Sequence, residues 1–432
     1  MEAIVECCAG LDVHQATVVA CLNSGPGNKR SRKQVRTFGT TRTDLEAMRT
    51  WLSESGCTLV AMESTGIYWR PIYAELEGHF DLIVGNAQHI KNVPGRKTDV
   101  KDCEWISDLA RHGLIARSFV PPRPIRDLRD LTRYRRKLSQ AQAAERNRLI
   151  RMMESANIKL SGLISDVFGV SGEAMLRALI EGEETPAAMA QHARGRMKRT
   201  TGSSVLYGFH EAQHARGRMK RKRAALAVAL DGRLDEHHRF LMRAQFDRIK
   251  QAESLLEQID GRLREKLAPY AEPMGRLMRI PGVDWITAPT IIAEIGVDMS
   301  AFASAEHLAS WTGICPGNHR SAGKQKTGKV RKGNVHLKTA LVTAAMGAAK
   351  TRGCYLREKH RRLRARCGEM RAHVAIAHKI LVAAYHILAT ASDYQELGPN
   401  YLDQINERRT ALQLTRRLRD MGYDVAIKPK AA

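Results

Sequence analysis

Four carboxylates in the first quarter of the chain are spaced to do chemistry together. Asp12 closes the first apolar run, and Glu63 closes another in Ala-Met-Glu-Ser-Thr-Gly. Asp99 and Asp102 stand three apart in Lys97-Thr-Asp-Val-Lys-Asp102. On a helix, residues three apart project from one face, so both can aim at one point. Gathered carboxylates repel and raise one another's pKa, and divalent cations relieve that repulsion. Hard oxygen ligands suit Mg²⁺. Two such ions, roughly 3.5–4 Å apart, polarise a phosphodiester and stabilise both its attacking and its leaving oxygens. Taken singly, each of the four is more often a turn or cap residue, so the set carries the reading. Glu104 and Asp108 are reserve ligands on the same segment, and Asp44 reads as the cap of a helix.

A second constellation lies between Ile314 and Asn334. It contains Arg320, Ser321, Lys324, Lys326, Lys329, Arg331 and Lys332 and no acid. Gly323 to Lys329 fits G-x-x-x-x-G-K, but Val330 stands where a nucleotide-binding loop needs Ser or Thr, and no strand clearly precedes it. A glycine-rich basic loop can still wrap a phosphate backbone. Ser321 opens it beside Arg320 and Lys324. A serine hydroxyl needs a base or nearby cations to act as a nucleophile, and most loop serines form turns. Just upstream, Ile280-Pro-Gly-Val-Asp284 is similar to a helix–hairpin–helix turn, which presents backbone amides to phosphate. Asp284 replaces the second glycine of that motif, which points instead to a cap on the following helix or to a plain tight turn.

The elements that must position these groups follow from periodicity. Ile4–Leu11, Ala16–Leu22 and Gln34–Phe38 read as strands, Asp44–Ser53 as a helix with Leu45, Met48, Trp51 and Leu52 inward, and Thr58–Met62 as a strand. Tyr68–Glu77 reads as a helix, Phe80–Val84 as a strand and Asp99–His112 as a helix. Three strands followed by alternating helix and strand is the profile of an RNase H-like fold. There the first and fourth strands are neighbours and a later helix packs beside them, so the four carboxylates can converge.

From Pro121 the texture changes. Leu131, Tyr134, Leu138 and Ala141 recur at helical spacing among Arg129, Arg133, Arg135, Arg136, Lys137, Arg146, Arg148 and Arg151. A second long helix spans about Leu234–Leu267, with Ile249, Ala252, Leu256, Ile259 and Leu263 as its seam. Two such helices predict an antiparallel pair or a dimerising coiled coil; packing of each helix on its own domain fits the periodicity equally well. Gln191–Arg199 recurs identically as Gln213–Arg221, a 22-residue duplication rather than a solenoid. The expected organisation is a nuclease-like domain over 1–118, a coiled-coil region over 119–272, a mainly helical domain over 273–400 and a loosely ordered basic tail over 401–432. The fold class is thus α/β followed by α.

The chain has 432 residues and a formal net charge of +25, a self-repulsion that a polyanionic partner relieves. Charge alone fits a DNA-, RNA- or ribosome-binding protein. Aromatics at 5% argue against a single-strand binder that stacks bases. The apolar stretch near Ala372–Ala391 is broken by His373, His378 and Lys379 and reads as a buried helix, so no membrane partner is expected. The eight cysteines form no C-x-x-C pair and read as reduced thiols. Adjacent Cys7 and Cys8 are expected on opposite faces of a strand. No secretory leader is apparent, and the expected location is the prokaryotic cytoplasm, at the nucleoid.

Together these residues resemble the IS110 family of insertion-sequence transposases, relatives of the Piv DNA invertases. The resemblance rests on Gly10-Leu-Asp-Val-His14, Met62-Glu-Ser-Thr-Gly-Ile-Tyr-Trp69 and Lys97-Thr-Asp-Val-Lys-Asp-Cys-Glu-Trp105. Towards the C-terminus it rests on Ile280-Pro-Gly-Val, Leu308-Ala-Ser-Trp-Thr-Gly-Ile-Cys-Pro-Gly-Asn318 and Ser321-Ala-Gly-Lys324. It implies a RuvC-like domain whose DEDD tetrad falls on Asp12, Glu63, Asp99 and Asp102, and a helical domain whose Ser321 forms a phosphoserine link to DNA. It further implies donor and target duplex DNA, a bridge RNA pairing with both, and a dimer or tetramer joined by a coiled coil. In such an assembly the metal site of one subunit works with the serine of another. A Piv-like invertase would share these residues. A RuvC-like junction nuclease would need the carboxylates alone, and a non-catalytic binder neither set.

Overall fold

A computed structural model describes residues 3–26, 31–64, 66–93, 102–193, 222–315, 319–321, 324–327, 330, 332–405 and 407–426, with the backbone alone at 319–321, 324–327 and 408–410. Asp99, Ala322, Gly323, Lys329, Arg331 and nearly all of the duplication lie outside the described residues. The chain divides into two compact units, Met1–Pro121 and Pro122–Ala432.

The first unit is built on five strands: β1 (Cys7–Val13), β2 (Thr17–Ser24), β3 (Arg32–Gly39), β4 (Leu59–Glu63) and β5 (Asp81–Gly85). Their order is β3-β2-β1-β4-β5. β1, β2 and β3 pair antiparallel, while β4 pairs parallel with both β1 and β5. Helices α1 (Arg42–Glu54), α2 (Trp69–Leu76), α3 (Ala87–Asn92) and α4 (Asp102–Arg111) complete it. The order read from the sequence holds, with α3 as an unforeseen addition. The mixed sheet and its strand order are consistent with a RuvC-like domain.

Alternation along the strands makes two cores. Ala9, Leu11, Val60 and Met62 face α1 and α2, burying Leu45, Met48, Trp51, Leu52, Ile72 and Leu76. Cys8, Leu59, Ala61 and Ile83 face the other way, against Ile106, Leu109 and Ala110 of α4. Cys7 packs with the first core and Cys8 with the second, as the adjacent pair required. Burial pushes the Cys8 and Cys57 thiols up to about 12, and all eight cysteines are free. Thr41, rather than Asp44, is the N-cap of α1, accepting from the Asp44 N–H while its hydroxyl donates to the Asp44 carboxylate. Asp44 instead anchors the cap, its carboxylate accepting from the Thr41 hydroxyl.

The second unit is helical apart from one hairpin. α5 (Arg123–Ser155) leads through α6 (Leu160–Leu163), α7 (Val170–Glu181), α8 (Pro186–Ala190) and α9 (Arg223–Leu230) to α10 (Glu236–Leu267). α5 and α10 pair within the chain, and their ion pairs fix the direction. Asp127 meets Lys266, Arg135 meets Asp260, and Arg146 meets Glu253, so the two run antiparallel. On α10, Ile249, Ala252, Ile259 and Leu263 of the predicted seam are buried, and Leu256 is half-buried. On α5 the predicted stripe is displaced. Tyr134 is 53% exposed, Ala141 is exposed, and Leu131 and Leu138 are half-buried, whereas Ile125, Leu128, Thr132, Gln142, Glu145, Leu149 and Met153 are buried. Polar groups can occupy those inward positions because each finds a partner. Thr132 donates to the Arg129 carbonyl, Gln142 to Glu253, and Glu145 accepts from Arg148. The ion pairs of Arg135 with Asp260, Arg146 with Glu253 and Arg148 with Glu145 neutralise part of the cationic coat that the sequence places on α5.

Helices α11 (Ala271–Leu277), α12 (Thr287–Ile295), α13 (Ala305–Thr312), α14 (Val335–Ala348), α15 (Tyr355–Cys367) and α16 (Glu369–Thr390) follow, with α17 (Tyr401–Gln404) and α18 (Glu407–Asp420) last. α16 is long and apolar enough to cross a bilayer by composition. It is instead the central helix of this part, burying Ala372, Ile376, Ile380, Leu381, Ala384 and Ile387 against α11, α13, α14 and α15. Residues 407–420 form a helix where the sequence predicts a loose tail.

Candidate active site

Three of the four sequence-predicted carboxylates come to one end of one sheet face. The parallel register pairs Gly10 with Ala61 and Leu11 with Met62, which sets Asp12 beside Glu63. By alternation both belong to the face that carries α4. α4 crosses that face against the direction of β1. Cys103 lies over Gly10, the Ser107 carbonyl accepts from the Cys8 thiol, and Arg111 donates to the Glu6 carbonyl. The first residue of α4, Asp102, is therefore delivered to the Asp12 end. Gly10 permits the approach, since a Cβ there would stand 2.3 Å from both the Cys103 carbonyl and the Ser107 nitrogen. Asp12 accepts from or pairs with His14 at 3.2 Å.

The three do not close into a tight cluster. Among the described residues, the one group of three or more ligand side chains within 4.8 Å of each other is His360, Glu369 and His373. Asp99, the fourth member, lies outside the described residues. The donor set nevertheless fits a hard divalent ion, being all carboxylate oxygen. The reserve ligands have other work. Asp108 accepts from Asn23 at 3.0 Å and from Lys33 at 2.7 Å, and Glu104 lies 3.9 Å from Lys33. They fasten α4 to β2 and β3.

The basic segment is a β-hairpin rather than a formless loop. β6 (His319–Ser321) pairs antiparallel with β7 (Lys324–Thr327), setting Ser321 opposite Lys324 and Arg320 opposite Gln325. Lys326 lies on β7, and Lys332 is exposed beyond it. The hairpin base is clamped. Gly313 ends α13 in the left-handed conformation at φ +73°, and a Cβ on Gly333 would stand 2.5 Å from the Thr312 carbonyl. Asn334 then caps α14, accepting from the His336 and Leu337 N–H groups at 3.0 Å.

Beneath this clamp is a residue the sequence reading passed over. Glu294 is fully buried. Its carboxylate accepts two bonds from Arg133, at 2.7 and 2.8 Å, and one from Asn334 at 2.6 Å, while Arg129 donates to its carbonyl. Burial would raise its pKa, but Arg133, Asn334 and Arg129 outweigh that and hold the carboxyl below its usual value. The available signal was a lone acid in the apolar stretch Ala-Pro-Thr-Ile-Ile-Ala-Glu-Ile, which demands a buried partner. A cleft of about 240 Å³ adjoins it, lined by Arg133, Arg135, Arg136, Trp285 and His336 among others. Burial and then Arg133 push the His336 imidazole down. Asp284 caps α12 as its substitution for glycine implied, accepting from the Thr287 N–H at 2.7 Å. Gly282, at φ +86°, packs on the α14 backbone, where a Cβ would lie 2.1 Å from the Ala344 carbonyl. The turn thus serves as a tight helix contact.

Two family descriptions match the chain. Residues 9–158 match a transposase family defined by its DEDD tetrad and the IS110 elements, and residues 274–361 match "Transposase IS116/IS110/IS902 family". The chain belongs to this family of insertion-sequence transposases. The first match covers β1, β4, α4 and α5; the second ends within α15 and includes the Ser321 hairpin. Among relatives, a transposase for insertion sequence element IS1111A of Coxiella burnetii is 30% identical over 142 residues, 31% of this chain and 39% of its own length. A probable family 20 transposase of Pseudomonas aeruginosa is 26% identical over 106 residues, 24% of this chain and 31% of its own. The aligned segments thus span about a third of each relative.

Proposed function

We propose that this family member is a DNA transposase that cuts and rejoins strands through a phosphoserine intermediate. The observation that carries the reading is the delivery of Asp12, Glu63 and Asp102 to one end of one sheet face. Two carboxylates at neighbouring strand ends and a third at the start of the helix crossing them supply the all-oxygen donor set that a divalent-metal nuclease requires. Asp12, Glu63 and Asp102, with Asp99, are the residues that would hold Mg²⁺, in a pair of ions. Bound there, such ions would polarise the scissile phosphate and stabilise charge on its oxygens.

The chain's own residues supply the rest. Ser321 Oγ attacks phosphorus, the bond from phosphorus to the 3′-oxygen breaks, and the serine proton passes to that oxygen. One DNA end remains esterified to Ser321 and the other leaves as a 3′-hydroxyl. Attack by a 3′-hydroxyl on the ester reverses the exchange on a new partner, so no high-energy cofactor is consumed. Arg320, Lys324, Lys326, Lys329, Arg331 and Lys332 neutralise phosphates around the serine. The net charge of +25 is suited to holding donor DNA, target DNA and a bridge RNA together. The half-exposed stripe of Leu131, Tyr134, Leu138 and Ala141 offers a face for a second subunit, whose serine would complete the metal site in trans.

Suicide substrates test the nucleophile. The wild-type chain should give a covalent protein–DNA adduct in Mg²⁺, and Ser321→Ala should give none while still binding DNA. An adduct that persists in Ser321→Ala refutes the assignment.

A further inference from the structure

We infer that His360, Glu369 and His373 form a second metal site, for a first-row transition ion of the zinc class, that ties α15 to α16. Two of its ligands, Glu369 and His373, lie four apart at the start of α16, and His360 faces them from α15. The His360 and His373 side chains are 6% and 8% exposed, while Glu369 is half exposed at the rim. Their ligand atoms all fall within 4.8 Å of one another.

The distances discriminate between readings. Each histidine Nε2 points at the same carboxylate oxygen, Glu369 Oε1, at 3.6 Å from His360 and 3.4 Å from His373. Those separations are long for hydrogen bonds. The His373 separation falls within, and the His360 separation just above, the spacing of roughly 3.3–3.5 Å between ligands that each sit about 2.0–2.1 Å from one tetrahedral ion. The rings are stacked, with centroids 4.5 Å apart and planes 27° from parallel. His360 Nε2 and His373 Nδ1 are buried without any hydrogen-bond partner. The vacant His360 Nε2 is the same nitrogen that faces Glu369 Oε1, and a buried imidazole nitrogen left unpaired is costly unless something accepts its lone pair. Protonating either would set a cation against its stacked neighbour.

The surroundings are consistent with an ion. Arg364 lies 3.6 Å from Glu369 Oε2 and so directs Oε1 towards the histidines, as supporting partners do at metal sites. Two imidazoles and one carboxylate form a borderline donor set that favours zinc-class ions over Mg²⁺. With three protein ligands and a half-exposed carboxylate, a fourth position remains for water. The ion would cross-link two helices around the Gly368 turn, where φ is +83°.

Full-length protein stripped with a chelator and titrated with Zn²⁺ in excess Mg²⁺ tests the site. A single calorimetric site that raises the melting temperature is expected. Co²⁺ in its place should give visible ligand-field bands without a thiolate charge-transfer band. Glu369→Gln alters only an exposed carboxylate, so the fold is retained, as circular dichroism checks. It and His373→Gln should each weaken Zn²⁺ binding at least about tenfold, the lower end of what losing even a supporting partner costs. Wild-type protein that binds no Zn²⁺, Glu369→Gln that binds as tightly as wild type, or a thiolate band would each overturn the site.

Discussion

The carboxylate end of the first unit and the serine hairpin of the second are held by opposite means. Asp12 and Glu63 end strands that are paired on both sides and packed on both faces, and Asp102 begins a helix seated directly on the β1 backbone. Ser321 ends a three-residue strand whose one partner strand has four residues. Its order comes from the base, where Gly333 meets Thr312 and Asn334 reaches the buried Glu294. On the proposed function, the residues assigned to ion binding sit on a packed sheet, and the residue assigned to attack sits on a short hairpin whose following segment is anchored at Gly333 and Asn334.

The largest effect should come from the carboxylates. Asp102→Ala should lower strand cleavage on the order of 10³-fold or more, as loss of an essential catalytic group does, and leave salt-sensitive DNA binding near wild type. Cleavage assays and filter binding on one preparation separate the two, and retained strand transfer would count against the metal-site role. Subunit mixing then sharpens the comparison. Asp102→Ala mixed with Ser321→Ala should recover about a quarter of wild-type activity if random dimers build their sites in trans. Recovery should be nil if each chain completes its own site.

Next in size is the root of the hairpin. Glu294→Ala leaves Arg133 and Arg129 half-buried without their carboxylate and should cost about 3–5 kcal/mol in urea unfolding. Gly10→Ala and Gly333→Ala then probe the two ends with the same added methyl. Each meets backbone within 2.5 Å and should cost about 1–3 kcal/mol. Their functions should part. Gly10→Ala displaces α4 from β1 and should weaken divalent-metal binding along with cleavage, whereas Gly333→Ala should lower adduct formation and leave metal binding near wild type.

The first unit was far more legible in the sequence than the second. Alternating apolar runs announce strands whose two faces are both covered, so β1 to β5 and the position of Asp12 and Glu63 could be read from local pattern. The α5 stripe could not. Thr132, Gln142 and Glu145 face inward because Arg129, Glu253 and Arg148 meet them there, and a hydropathy pattern carries no information on such pairings. The basic segment showed its charge and its serine but not its pairing, because β6 and β7 are too short and too polar to alternate. Glu294 was visible as an acid in an apolar run, but the residues that neutralise it lie about 160 positions earlier and 40 later in the chain. The three histidine and glutamate ligands on α15 and α16 were masked by the density of basic residues around them.

The smallest effect is a pH dependence that should belong to the hairpin root. The His336 imidazole is pushed down in the folded chain, so the unfolded chain takes up its proton first. That contribution is intact above the unfolded value of about 6.5 and is lost as pH falls below it. Glu294 is also held down, so its contribution is present above the unfolded carboxylate range and is lost as pH falls through the depressed folded value. Stability in urea should therefore drop in two stages on acidification. His336→Gln should shrink the upper stage without erasing it, since burial pushes His360 and His378 down as well. Glu294→Gln should shrink the lower stage without erasing it, since Asp81, Glu173 and Asp298 are held down as well. An upper stage unchanged by His336→Gln would detach the titration from the hairpin root and assign it to α15 and α16.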